Sequence, residues 1–96
     1  MKNECCKTTI RDENLKKDLS TRINRLKGQV EGVGKMVEED RYCGDVLMQL
    51  AAIEKSAKSL ALLILDDHTH NCVCESVKKG DAEKIDELTS LFRMFL

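Results

Sequence analysis

Residues 46–64 read VLMQLAAIEKSAKSLALLI, and this stretch decides the fold. Val46, Leu50, Ile53, Ala57, Leu60 and Ile64 follow one another at steps of four and three, the spacing of an apolar seam on a helix that packs against another helix. Outward towards the N-terminus, Leu15, Leu19, Ile23, Leu26, Val30, Val33 and Val37 repeat the rhythm. The segment EEDRYCGD interrupts it at residues 38–45. Outward towards the C-terminus, the central helix runs on through His68 and Cys72 towards Val77, an expected span of about 44–78. Gly80-Asp81 then reads as a helix stop and an N-cap. Ile85, Leu88, Leu91, Phe92 and Phe95 give a short third amphipathic helix. Gly28, Gly32 and Gly34 each cost the first helix about 1 kcal/mol against Ala, and close approach of another backbone is their expected use.

Composition agrees with an all-α chain. Of 96 residues none is Pro or Trp, one is Tyr and two are Phe. Residues 1–11 have no period and are expected to form a mobile N-terminal tail. Residues 12–96 are expected to form a single helical domain. A core of this size is marginal alone, and two long seams exceed what one subunit can cover. The central helix should therefore pair with its copy in a twofold homodimer. The apolar run Leu60–Leu65 is far short of the roughly 20 residues that span a bilayer. With no basic-then-apolar leader pattern, the expected location is cytoplasmic. In a reducing compartment five Cys point to metal or thiol chemistry rather than a disulfide framework. The net charge of −1 divides into +4 over residues 1–35 and −5 over residues 36–96. A basic first segment is a nucleic-acid footprint or, more plainly, a solvated helix face.

Three residues carry the chemistry. His68 and Cys72, four apart on a helix, share one face and can grip one ion. Cys43 lies at the head of the same helix, where the positive end of the helix dipole favours thiolate. Two thiolates and an imidazole form a soft set that suits Cu(I), Zn(II) or Cd(II) rather than Mg(II) or Ca(II). At 1.5 Å per residue a straight helix holds Cys43 roughly 40 Å from Cys72. In an antiparallel pair of these helices, Cys43 of one chain approaches His68 and Cys72 of the other, giving two bridging sites per dimer. Taken singly, each Cys is as readily a small buried hydrophobe and His68 a surface histidine; the spacing of all three favours the site. His70 and Cys74 form a competing pair on a face rotated roughly 200° away, a possible secondary metal site, although Cys74 also fits the apolar stripe. Cys5 and Cys6 could capture soft metal, without fixed geometry.

The stretches RINRLKGQVEGVGKMVEEDRYC and DVLMQLAAIEKSAKSLALLILDDHTHNC resemble the first and second helices of the copper-sensing transcriptional repressors of the CsoR type. The similarity covers Arg22 to Phe95. It implies an antiparallel three-helix subunit, a dimer with a four-helix core, and a homotetramer that is a dimer of dimers. It implies a repressor, not an enzyme, that holds double-stranded operator DNA and leaves it when Cu(I) binds. The implied ligands are Cys43, His68 and Cys72. Tyr42 and Glu87 match family positions that would hold the free ring nitrogen of His68. Arg22 matches a basic position of the family's DNA surface. Arg25 and Lys27 lie near it, Lys16 and Lys17 precede it, and Lys55 and Lys58 stand on the second helix. Ser59 departs from the pattern, in which Arg can occur there. A copper chaperone is a further candidate partner.

Rival readings differ by inducer or by class. Nickel and cobalt sensors of this kind use more His and an N-terminal ligand, whereas this chain has no His before His68. Aldehyde sensors have no use for Cys72, and persulfide sensors lack the His. A metal-buffering helical protein would not need the basic first helix. No nucleophile–base pair or phosphate loop suggests an enzyme.

Overall fold

The structure, a computed structural model of the single chain, describes residues 11–70, 78, 80 and 83–96. Cys5, Cys6, Cys72, Cys74, Val77 and Asp81 lie outside the described residues. Among the described residues three helices follow in order: α1 (Glu13–Glu38), α2 (Cys43–His68) and α3 (Glu83–Arg93).

Residues 12–60 form one compact unit, an antiparallel hairpin of α1 and most of α2. The chain reverses because α1 ends in a two-bond cap. The Arg41 amide donates to the Met36 carbonyl (2.9 Å) and the Asp40 amide to that of Val37 (3.2 Å). This 6→1 and 5→2 pair needs a left-handed residue between, and Asp40 supplies it at φ 52°. Asp and Asn enter that region more readily than most residues. α2 opens immediately after, with the Tyr42 carbonyl accepting from the Asp45 and Val46 amides.

The apolar seam expected on α1 divides in two. Leu19 is buried, and Leu15, Leu26 and Val33 are half-buried, whereas Ile23, Val30 and Val37 are exposed. Each of the exposed three is seven residues from the next, so one continuous strip of α1 is uncovered. A single packing helix covers about one stripe, and the second needs another partner. A Cβ placed on Gly28, Gly32 or Gly34 would meet nothing within 4 Å. The close backbone approach expected there is thus not made by any of the described residues, because all three lie on exposed turns of α1.

Arg11 and the described residues from Ala61 onward form the second unit. α2 closes at His68, and residues 69–70 continue in a wider π turn. The Thr69 hydroxyl donates to the Leu65 carbonyl at 2.9 Å. Gly80 lies at φ +82°, the left-handed geometry that suits a helix stop. The covered side of α3 is Lys84, Leu88, Leu91 and Phe95, whereas Ile85 and Phe92 are exposed. No helix among the described residues is long and apolar enough to cross a membrane.

Candidate metal centre and basic face

Cys43 is the first residue of α2 and is exposed. Tyr42 before it has no short side-chain oxygen with which to cap the helix. Its ring instead lies over Gly44, where an added Cβ would collide with it. Tyr42 is 75% exposed, so the ring is a cover over a helix end rather than a core residue.

His68 is the last α-helical residue of α2, and its side chain is only 15% exposed. Its Nε2 lies 3.7 Å from Glu87 Oε1 on α3. Nε2 is buried and, among the described residues, has no hydrogen-bond partner at this separation. Buried polar atoms rarely remain so. A closure of under about 1 Å would make an N–H···O bond of normal length with Glu87 as acceptor. Glu87 has a second neighbour: Lys84 Nζ lies 3.5 Å from its Oε2, and the Lys84 side chain is 10% exposed. Behind this group, Arg11 Nε lies 3.6 Å from Asp67 Oδ2. Arg11, His68 and Glu87 share the wall of a cavity of about 430 Å³ with Ile64, Leu91 and Phe95.

The arrangement tests whether these residues suit a soft metal. With Nε2 turned to a carboxylate, Nδ1 is the ring nitrogen left to ligate, and an acidic partner on the far nitrogen strengthens an imidazole ligand. His68 and Glu87 therefore fit a metal-ligating pair. His70 is exposed on the π turn. Cys43 and His68 stand at opposite ends of one 26-residue helix. Among the described residues no group of three or more His, Cys, Asp or Glu comes together to hold a metal.

The basic residues occupy the other unit. Lys16, Lys17, Arg22, Arg25 and Lys27 are exposed on α1, and Lys55 and Lys58 on α2. Arg22, Arg25 and Lys55 line a polar cleft of about 290 Å³ with Gln29, Ser56 and Ser59. Arg22 Nε donates to Asp18 Oδ1 at 3.2 Å, one turn back. Ser59, which stands where Arg can occur in the family pattern, is part of the cleft wall. Sequence reasoning missed Lys84, Arg11 and Asp67. Lys84 was findable: it stands four, seven and eleven residues before Leu88, Leu91 and Phe95, on the apolar stripe. No comparable periodic signal marks Arg11.

The family model described as metal-sensitive transcriptional repressor matches residues 15–94. The copper-sensing transcriptional repressor CsoR of Bacillus subtilis (strain 168) is 44% identical over 81 residues, covering 83% of this chain and 80% of that protein. The copper-sensing repressor RicR of Mycobacterium tuberculosis (strain H37Rv) is 43% identical over 65 residues, 68% of each chain. Among solved structures, the copper-sensing repressor CsoR with Cu(I) from Geobacillus thermodenitrificans NG80-2 superposes with a TM-score of 0.82 at 32% identity, covering 92% of this chain and 93% of that one. The nickel-responsive transcriptional regulator InrS superposes at 0.71, also at 32% identity, over 93% and 98% of the two chains.

Proposed function

This chain belongs to the metal-sensitive transcriptional repressors, and we propose from that premise that its inducer is Cu(I). The apo protein holds operator DNA. It releases the DNA when Cu(I) is bound by Cys43 of one subunit together with His68 and Cys72 of another. The copper-sensing relatives and the Cu(I)-bound neighbour support the choice of metal, and the soft donor set agrees with it. The observation that carries the reading is His68, half-buried at the end of α2 with its buried Nε2 facing Glu87 at 3.7 Å. One ring nitrogen is thereby turned to a carboxylate and the other is left for metal.

The length of the helix supports the proposed assembly. At 1.5 Å per residue, 25 steps separate its ends by roughly 38 Å. A site containing both Cys43 and His68 therefore needs two chains with α2 antiparallel. The uncovered strip Ile23, Val30 and Val37 supports such a homodimer, and a dimer of dimers would use the remaining apolar surface. DNA would be held by Arg22, Arg25 and Lys55 around the cleft, with Lys16, Lys17, Lys27 and Lys58 adding phosphate contacts. A copper chaperone is proposed as the donor of the metal.

The nickel-responsive neighbour favours a second reading, in which the same fold answers to Ni(II). The lack of any His before His68 weighs against it. Operator release titrated with Cu(I), Zn(II), Ni(II) and persulfide decides the matter. Release by buffered Cu(I) at far lower free concentration than the others is the expected result; release by Ni(II) alone would replace the first reading by the second.

A further inference from the structure

Lys84 is the one buried charged residue among those described, 8% exposed. A Lys on the covered face of an amphipathic helix costs free energy unless its charge is partnered. Its partner Glu87 lies three residues on, a neighbour on the helix surface. The two oxygens of that carboxylate are divided: Oε2 is 3.5 Å from Lys84 Nζ, and Oε1 is 3.7 Å from His68 Nε2. Glu87 itself is half-exposed, with 47% of its side chain open. A half-exposed Glu has several rotamers available, most of them directed at water. One buried cation on the same helix lies beside the far oxygen, where an ion pair narrows that choice.

We infer that Lys84 is a positioning residue, which holds Glu87 so that Oε1 faces His68 and thereby sets how strongly metal binding is felt at the DNA surface. The inference rests on the proposed relay through His68 and Glu87. Lys84 touches neither metal nor DNA; it fixes the carboxylate before the metal arrives. The His68–Glu87 bond then forms by a small closure rather than by a search through rotamers. Because Glu87 is partly solvated, the effect of losing Lys84 is smaller than that of losing Glu87.

The test uses the full-length protein, its operator DNA and Cu(I) delivered from a chelator buffer. Lys84→Met keeps the apolar stem and removes the charge. Apo operator affinity and Cu(I) affinity should stay within about threefold of wild type, and copper-driven release should fall by about three- to tenfold. Lys84→Arg, which restores a cation, should recover most of the release. In the Cu(I)-loaded protein the His68 Nε2–H resonance should be sharp in wild type and Lys84→Arg and broadened in Lys84→Met, which mere loss of packing would not produce. Lys84→Gln carries the same test should Lys84→Met melt too readily. Glu87→Ala separates the failures. If it releases DNA like wild type, the relay itself is wrong. If it fails to release while Lys84→Met releases normally, or if Lys84→Arg is as impaired as Lys84→Met, the positioning role is overturned.

Discussion

The hairpin of residues 12–60 and the unit formed by the end of α2 with α3 use charge in opposite ways. In the hairpin eight basic side chains are exposed on two helices. Each is screened by salt and exchangeable with its neighbours. In the other unit, beside exposed charges such as Asp66, Asp86 and Arg93, a smaller set is partly or largely shielded and paired: Arg11 with Asp67, Lys84 with Glu87, Glu87 with His68. Redundant surface charge binds a polyanion with graded strength. Shielded pairs respond to geometry, because a shift of an ångström makes or breaks a bond whose alternatives exclude water. A repressor that must hold DNA and also answer a single ion needs both kinds of region.

Cys43 is the residue that would break this division, since it belongs to the hairpin yet is proposed to ligate metal. Cys43→Ala should lower Cu(I) affinity by more than about a hundredfold, beyond the 10–100-fold that loss of an outer partner costs. Apo operator binding should be unchanged. Mixing Cys43→Ala with Cys72→Ala subunits should restore one tight site per mixed dimer, measured by chelator competition. No restoration with dimerisation intact would refute a site shared between chains.

Within the hairpin, removing charge should act gradually and through salt. Replacing both Arg22 and Arg25 by Ala removes two of the cations lining the polar cleft. The slope of log operator affinity against log salt should become shallower by roughly 1.8, about 0.9 for each phosphate no longer neutralised. Cu(I) affinity should remain near wild type. An unchanged slope would move the DNA surface away from this cleft.

The two regions were unequally legible in the sequence. The α1 seam and the break at EEDRYCGD could be read because periodicity records which residues face a helix. The structure puts the connection at residues 39–42 and begins α2 at Cys43. Periodicity does not say how many partners cover a seam, so the split between Leu19, Leu26, Val33 and Ile23, Val30, Val37 was invisible. Nor does it register the π turn at residues 69–70; most of the expected span from there to 78 lies outside the described residues. Ile85 and Phe92 were read into the α3 face on hydrophobicity alone. The helix is in fact rotated towards Lys84, whose charge can be buried because Glu87 is within reach. Glu87 itself was legible only through family resemblance, since a Glu on a short polar helix is ordinarily solvated.

In the unit containing α3, one carboxylate should uncouple binding from response. Glu87→Ala leaves the proposed ligands intact and should still bind Cu(I) tightly through the two thiolates, with a loss no larger than the roughly 10–100-fold of an outer partner. Operator affinity without metal should also persist. The loss should fall on the coupling between sites, about 1–3 kcal/mol in linked systems, or roughly 5–150-fold in DNA affinity. Operator titrations with and without Cu(I) measure it directly. Wild-type release would mean that shielded geometry in this unit does not carry the signal, and the contrast between the regions would lose its functional meaning.

The smallest expected effect lies within the hairpin, at Gly44. The Tyr42 ring lies where a Cβ on Gly44 would stand, so Gly44→Ala must displace it. The displacement is cheap because Tyr42 is 75% exposed, and Ala favours the helix by up to about 1 kcal/mol. Stability should therefore change by less than about 1 kcal/mol in either direction. The chain has one Tyr and no Trp, so intrinsic fluorescence reports this ring alone. Its emission should change in the variant without metal. If the ring also steadies the ligand beside it, Cu(I) affinity should fall, by no more than about tenfold. A ring that moves with no change in affinity makes Tyr42 a cover over the helix end. A ring that moves with a measurable loss makes it part of the metal centre, and the sensing apparatus then reaches from His68 at one end of α2 to the residue that caps the other.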